Sequence, residues 1–370
     1  MLLSKTQEVC KNTVIIAIAQ NALEFVFLIM NRKHFVSSLL LAGAALPLQA
    51  AITEDESETT PIIPPYLKQG DVIAITSPAG YTTLKEIQPA IDVLKSWGFY
   101  IEIGSTIGQR NFIFGGTDEE RIKDFQQLLN NKNVKAILCA RGGYGFIRII
   151  DQLDFTKFKT NPKWIIGFSD ITVLHSHLNR NFNIASIHSK MCNSFPEEWS
   201  KAEPIQIETI LSIKDAITGV TMKYTAPTNM NNKIGIAEGV LVGGNLKTIE
   251  SLAASKSDLK TAGKILFVED TGEYLYSIDR MFWNLKRSGK LSKLKGLIIG
   301  GFKLKKDEGA NDDEFGKTVE QIVLENVKEY KYPVCFDFPV GHQKNNYALK
   351  CGIKHKLYIS TTESTLTEIK

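Results

Sequence analysis

Residues 163–178 read KWIIGFSDITVLHSHL, and the way this stretch divides decides the fold. Its first half is an apolar run of strand length, its second half spaces apolar residues as a helix does, and a Gly-Phe-Ser-Asp turn joins them. The same pattern recurs on the N-terminal side. VKAILCA (134–140) runs into a glycine turn at 141–145. DVIAIT (71–76) runs into Ser77-Pro78-Ala79-Gly80, after which Leu84, Ile87, Ile91 and Leu94 recur at helical intervals. Residues 100–103 read as a strand, and 118–129 as a helix with acids in its first turn, the end where the helix dipole favours negative charge. Strands alternating with helices predict βαβ units, hence an α/β fold with a mostly parallel sheet covered by helices on both faces.

Composition bounds the rest. The chain has 370 residues, 43% hydrophobic and 23% charged, with 27 glycines and five cysteines. These values describe a globular protein long enough for two domains, and exclude a disordered tail, a collagen-like fibre, a disulfide miniprotein or a multi-span membrane protein. Lys and Arg number 44 against 40 Asp and Glu, too balanced for a nucleic-acid partner. A Pro-containing linker at 51–65 leads into an N-terminal domain predicted over 66–195. The less regular stretch 196–235, with Pro196, Pro204, Pro227 and an Asn-rich run, reads as the inter-domain connection. A second, smaller domain is predicted over 236–370, with strands near 239–246, 264–268, 297–301 and 335–338 and helices near 276–287 and 317–329. Residues 348–359 read as paired short strands.

The first 50 residues differ in character. Met30 is followed by Arg32, Lys33 and His34, then by an apolar run from Phe35 to Leu46 and small residues at Ala50 and Ala51. That is the layout of a secretory signal, and the run is short of the roughly 20 residues that span a bilayer. The expected signal is 30–50, with Met30 as the true start and residues 1–29 as an upstream extension; a longer uncleaved anchor is the competing reading. The first 50 residues carry four Lys/Arg and two Asp/Glu, so the remainder holds 40 against 38 and is nearly neutral. Export to an oxidising, periplasmic compartment would permit pairing among Cys139, Cys192, Cys335 and Cys351, which the sequence leaves open. Cys139 sits in an apolar run and reads as a small buried hydrophobe. There is no CxxC pair and no Cys/His ligand spacing.

Three strand ends carry candidate chemistry. Ser169, at the strand-to-helix turn, would expose its hydroxyl beside backbone N–H groups able to hold an oxyanion; the competing reading is a helix N-cap. Glu269, in the pair Glu269-Asp270, follows a second apolar strand. His342 follows Phe338-Pro339-Val340-Gly341. A serine needs a base, and the base needs a carboxylate to fix its tautomer; these three supply those roles, although each could be an ordinary surface residue. Arg141-Gly142-Gly143-Tyr144-Gly145 is neither a P-loop nor a GxGxxG fingerprint, and could be a turn with no ligand. His175 and His177, two apart on a helix, make a poor metal pair, and His188 and His355 belong to no motif.

Taken together, DVIAITSPAG, the ARGGYG turn, the GFSD turn, EGVLVGGNL, LFVEDTGEYLYSIDR and the late PVGH resemble the LD-carboxypeptidase family, in that family's order from about residue 66 to 345. The resemblance implies a flavodoxin- or amidotransferase-like N-terminal domain donating the nucleophile Ser169. A smaller α/β domain would donate Glu269 and His342, with the active site in the cleft between them. It further implies an oxyanion hole from the backbone of Asp170 and of Gly142 and Gly143, a homodimer, and neither metal nor cofactor. The implied reaction is removal of C-terminal D-alanine from a murein tetrapeptide, a small peptide substrate. Arg141 or the glycine turn is the candidate for recognising a free carboxylate, and Gly243, Gly244 and Asn245 are pocket-wall candidates. One departure stands out: where the family often has His-Gly-Pro-Met, this chain has His188-Ser189-Lys190-Met191. Two alternatives remain: a same-fold hydrolase of another peptide or peptidyl-nucleotide amide, of the microcin-immunity kind, and a non-catalytic exported murein-binding protein.

Overall fold

A computed structural model describes residues 60–305 and 315–369. The expected signal at 30–50, the extension before it and most of the 51–65 linker lie outside the described residues. The first sheet is assembled from β1 (Val72–Thr76), β2 (Tyr100–Ile103), β3 (Val134–Cys139), β4 (Trp164–Gly167) and β5 (Ser186–His188), all mutually parallel in the order β5-β4-β3-β1-β2. Its helices are α1 (Leu84–Ser96), α2 (Asp118–Asn130), the short α3 (Thr156–Thr160) and α4 (Thr172–Phe182). Strand β1 shows why the apolar runs are continuous. Ile73 and Ile75 enter one core with Ile87 and Ile91 of α1, while Ala74 enters the opposite core with Phe125 of α2. A parallel sheet buried on both faces cannot alternate apolar with polar. Helices α1 and α2 each open with a capping box, Thr83 with Glu86 and Thr117 with Glu120, which satisfies N–H groups that no helical carbonyl can reach.

The predicted irregular connection contains α5 (Pro204–Thr218) and β6 (Lys223–Ala226). Pro204 was read as a breaker, but it occupies the first helical turn, where proline's missing N–H costs nothing, and Glu203 and Gln206 cap that end reciprocally. The second sheet then forms from β7 (Gly235–Asn245), β8 (Ile265–Thr271), β9 (Gly296–Lys303) and β10 (Val334–Cys335) in parallel, followed by β12 (Lys354–Ile359) antiparallel to β7, β13 (Ser364–Glu368) antiparallel to β12, and β6 antiparallel to β13. Helices α6 (Leu246–Ser251), α7 (Leu275–Arg287) and α8 (Val319–Val327) complete it. The two strands that fall within 348–359 are not partners of one another. β11 (Leu349–Cys351) pairs antiparallel with β5 of the first sheet, whereas β12 pairs with β7 and β13. The segment 236–370, predicted as the second domain, thus lends a strand to the first sheet. One buried cluster runs through both sheets, from Ile73 and Ile187 to Phe267, Ile298 and Leu357. Cys139, Cys192, Cys335 and Cys351 are free and buried, as read for Cys139. Among the described residues no helix is long and apolar enough to cross a membrane.

Candidate active site

Strand β4 ends at Gly167, and the backbone turns so sharply that Ser169 adopts φ of 60°. Such a conformation is costly for a residue with a Cβ and persists only where its surroundings enforce it. The enforcement comes from below. His175 of α4 bonds the Gly167 carbonyl through Nε2 at 2.9 Å and the Ser186 hydroxyl through Nδ1 at 2.8 Å. A carbonyl only accepts, so Nε2 carries the hydrogen and Nδ1 accepts from Ser186. Burial pushes the His175 pKa down to about 4, which keeps this ring neutral. The spacing of His175 and His177 argues only against a metal pair; the packing of His175 under the Ser169 turn depends on Ser186, eleven residues away.

The glycine turn approaches Ser169 directly. A Cβ on Gly142 would stand 3.1 Å from Ser169 Cβ, so a side chain at 142 would crowd the hydroxyl. The turn is pinned on three sides. Gly80 N–H donates to the Gly142 carbonyl at 2.9 Å. Buried Arg121 donates through Nη1 to the carbonyls of Gly145 at 2.9 Å and Pro78 at 2.7 Å. Phe146 N–H donates to Asp170 Oδ2 at 2.8 Å. Asp170 therefore serves two segments at once: its backbone starts the helical turn after Ser169, where N–H groups lack helical partners, and its carboxylate grips the glycine turn. Burial pushes the Asp170 pKa up to about 6, against the opposing pull of the Phe146 and Gly145 N–H groups and Arg121.

His342 arrives from the loop after β10. Its Nδ1 lies 2.6 Å from Oε2 of the fully buried Glu269 on β8. A carboxylate can only accept, so Nδ1 carries the hydrogen and Nε2 is left free to take a proton. The imidazole packs on Phe168, the residue before Ser169, with ring centroids 4.8 Å apart. Ser169 and His342 line one cleft of about 840 Å³, together with Arg141, Gly142 and Gly143. A second cavity of about 760 Å³ lies on the other side, sharing Lys303, His342 and Gln343 with the first.

Gly243, Gly244 and Asn245 do not line either cavity. A Cβ on Gly244 would fall 2.4 Å from Thr172 Oγ1, and Asn245 N–H donates to that same oxygen at 3.0 Å. The segment docks β7 against the first turn of α4; a pocket-wall role finds no support in its placement. Lys190, at the point where the chain departs from the family pattern, does line the cleft. Among the described residues no group of three or more His, Cys, Asp or Glu is placed to hold a metal ion. What remains at the cleft is a hydroxyl, a tautomer-fixed imidazole and a glycine turn, a set suited to acyl transfer.

Comparison with known proteins agrees with that chemistry. Residues 73–189 match the LD-carboxypeptidase N-terminal domain and residues 238–357 the LD-carboxypeptidase C-terminal domain. The chain is 30% identical over 308 residues to the probable murein peptide carboxypeptidase of Bacillus subtilis, covering 82% of this chain and 92% of that one. It is 25% identical over 340 residues to the microcin C7 self-immunity protein MccF of Escherichia coli, covering 84% and 97%. The crystal structure of muramoyltetrapeptide carboxypeptidase from Oxalobacter formigenes superposes with a TM-score of 0.71 at 28% identity, covering 81% of this chain and 99% of that one. Two sheets, two matched domains and relatives covered almost end to end lead to one conclusion: the chain belongs to the LD-carboxypeptidase family.

Proposed function

We propose that this protein is a serine carboxypeptidase that removes the C-terminal D-alanine from murein tetrapeptides. The observation that carries the reading is the 2.6 Å contact between His342 Nδ1 and Glu269 Oε2, with His342 and Ser169 lining the same cleft. His342 Nε2 takes the Ser169 proton as the hydroxyl attacks the scissile carbonyl. Glu269 stabilises the imidazolium that forms. The N–H groups of Asp170 and of Gly142 and Gly143 receive the oxyanion, where the loss of one donor typically costs about 10²–10³ in rate. His342 then returns the proton to the leaving amine and activates water to release the acyl-enzyme. Arg141, exposed at the cleft mouth, offers a guanidinium to a carboxylate of the peptide.

The test is incubation with a muropeptide tetrapeptide, followed by mass spectrometry for tripeptide and free D-alanine. Release by the wild type and its loss in Ser169→Ala is the expected result. Release that persists in Ser169→Ala, or no release at all, refutes the reading. The likeness to the microcin self-immunity protein favours one alternative, hydrolysis of a peptidyl-nucleotide amide on the same cleft, and such a conjugate belongs in the same assay. Export through the 30–50 signal and assembly as a homodimer are part of the proposal. Cell fractionation with N-terminal sequencing, and light scattering on the purified chain, test them.

A further inference from the structure

Charge in the cleft is one-sided. Among the described residues its lining includes Arg141, Lys190, Lys303 and Lys344 and no Asp or Glu, although the buried Glu269 behind His342 acts on Lys190. Lys344 is paired with Glu203 at 2.7 Å. The other three have no carboxylate bonded to them among the described residues. Arg141 donates to the Tyr81 carbonyl at 3.3 Å, and Lys190 Nζ to the Gln343 carbonyl at 2.6 Å. A cleft arranged this way is built for an anionic ligand.

In the proposed reaction the cations would flank different sides of the reacting bond. Arg141 precedes Gly142 and Gly143, so it belongs to the side where the carbonyl oxygen would rest. Lys190 is tied to the residue after His342 and lies over Phe168, with Nζ 5.8 Å from the ring centroid. His342 Nε2 delivers its proton to the leaving nitrogen, and in a C-terminal residue the carboxylate is only two bonds from that nitrogen. An ammonium fixed beside His342 is therefore on the side where that carboxylate must lie. Lys190 is half-buried, whereas Lys303 is exposed. A partly desolvated ammonium attracts an anion more strongly than one in bulk water. Only one of its three donors is used by the Gln343 carbonyl.

Building on the proposed peptidase activity, we propose that the Lys190 ammonium anchors the free α-carboxylate of the residue that is released. The role expected of Arg141 from the sequence thus passes, for this carboxylate, to a residue at the chain's own departure from its family's pattern.

The experiment compares a tetrapeptide ending in D-alanine with its C-terminal carboxamide. The wild type should favour the free acid by about 10–100-fold in kcat/KM, the range of a hydrogen bond to a charged group. Lys190→Gln and Lys190→Met should bring the acid down to the amide's level while leaving amide turnover in place, which also reports that the variants are folded. Lys190→Arg should restore part of the preference. Arg141→Ala should lower both substrates together and keep their ratio. A preference that survives in Lys190→Gln, or that vanishes in Arg141→Ala instead, overturns the assignment. If the wild type cleaves neither peptide, the proposed function fails. Calorimetric binding of the two peptides to Ser169→Ala, with and without Lys190→Gln, then decides the Lys190 assignment: equal affinities for acid and amide refute it.

Discussion

Two strand ends in this molecule are built alike, and the way they differ separates chemistry from scaffolding. Ser169-Asp170 follows β4, and Glu269-Asp270 lies at the end of β8. In each pair the first residue serves the cleft and the second is an aspartate turned inward, with burial pushing its pKa up to about 6. The partners differ. Asp170 holds the Phe146 N–H at 2.8 Å, hence the turn that carries Gly142 and Gly143 to the cleft. Asp270 takes Asn245 Nδ2 at 3.0 Å, Lys247 N–H at 2.8 Å and Thr271 N–H at 2.7 Å. Those contacts bind β7, α6 and β8 to one another. The same residue type in the same position positions a reactive turn in one case and cross-braces a fold in the other.

Four measurements can break that comparison. Glu269→Gln should have the largest effect, about 10⁴ in kcat, because the amide stabilises the wrong imidazole tautomer. A small change would show that His342 does not depend on Glu269. Asp170→Asn should come next, lowering kcat by about 10² through a displaced glycine turn while the urea midpoint moves little. Asp270→Asn should do the reverse. It turns an amide N–H toward backbone and side-chain donors, costing about 1–3 kcal/mol in urea denaturation with kcat nearly unchanged. If the two variants behave alike, the distinction drawn here is wrong. The smallest effect is on pH. Burial pushes both carboxyls up to about 6 in the folded chain, against about 3.9 for an unperturbed aspartate. Between those values the folded state binds more protons, so the stability these two groups contribute falls as pH rises from about 4 to about 6. The difference in urea midpoint between wild type and either Asn variant should therefore change across that window and level off above it.

How much was legible in the sequence follows from how local each signal is. The strands 72–76, 134–139 and 164–167 were readable because both faces of a parallel sheet are buried, which leaves unbroken apolar runs. Ser169, Glu269 and His342 stood out because each ends or follows such a run. What failed to show was decided by distant partners. Three residues, Leu349–Cys351, carry no period that says which sheet they join. Gly243, Gly244 and Asn245 were pocket-wall candidates only through the family resemblance; here the groups closest to the two glycines are Phe267 and Thr172. Lys190 was noticed only as a departure from a pattern, since its contact with the Gln343 carbonyl spans 153 positions.

That crossing strand has a mechanical consequence. His342 sits seven residues before Leu349, and Leu349 is registered opposite His188 on the sheet that bears Ser169. Even fully stretched, such a segment reaches no more than about 25 Å. The imidazole therefore hangs on a short leash fastened to the serine's own sheet, and the two halves cannot gape apart while the leash is attached.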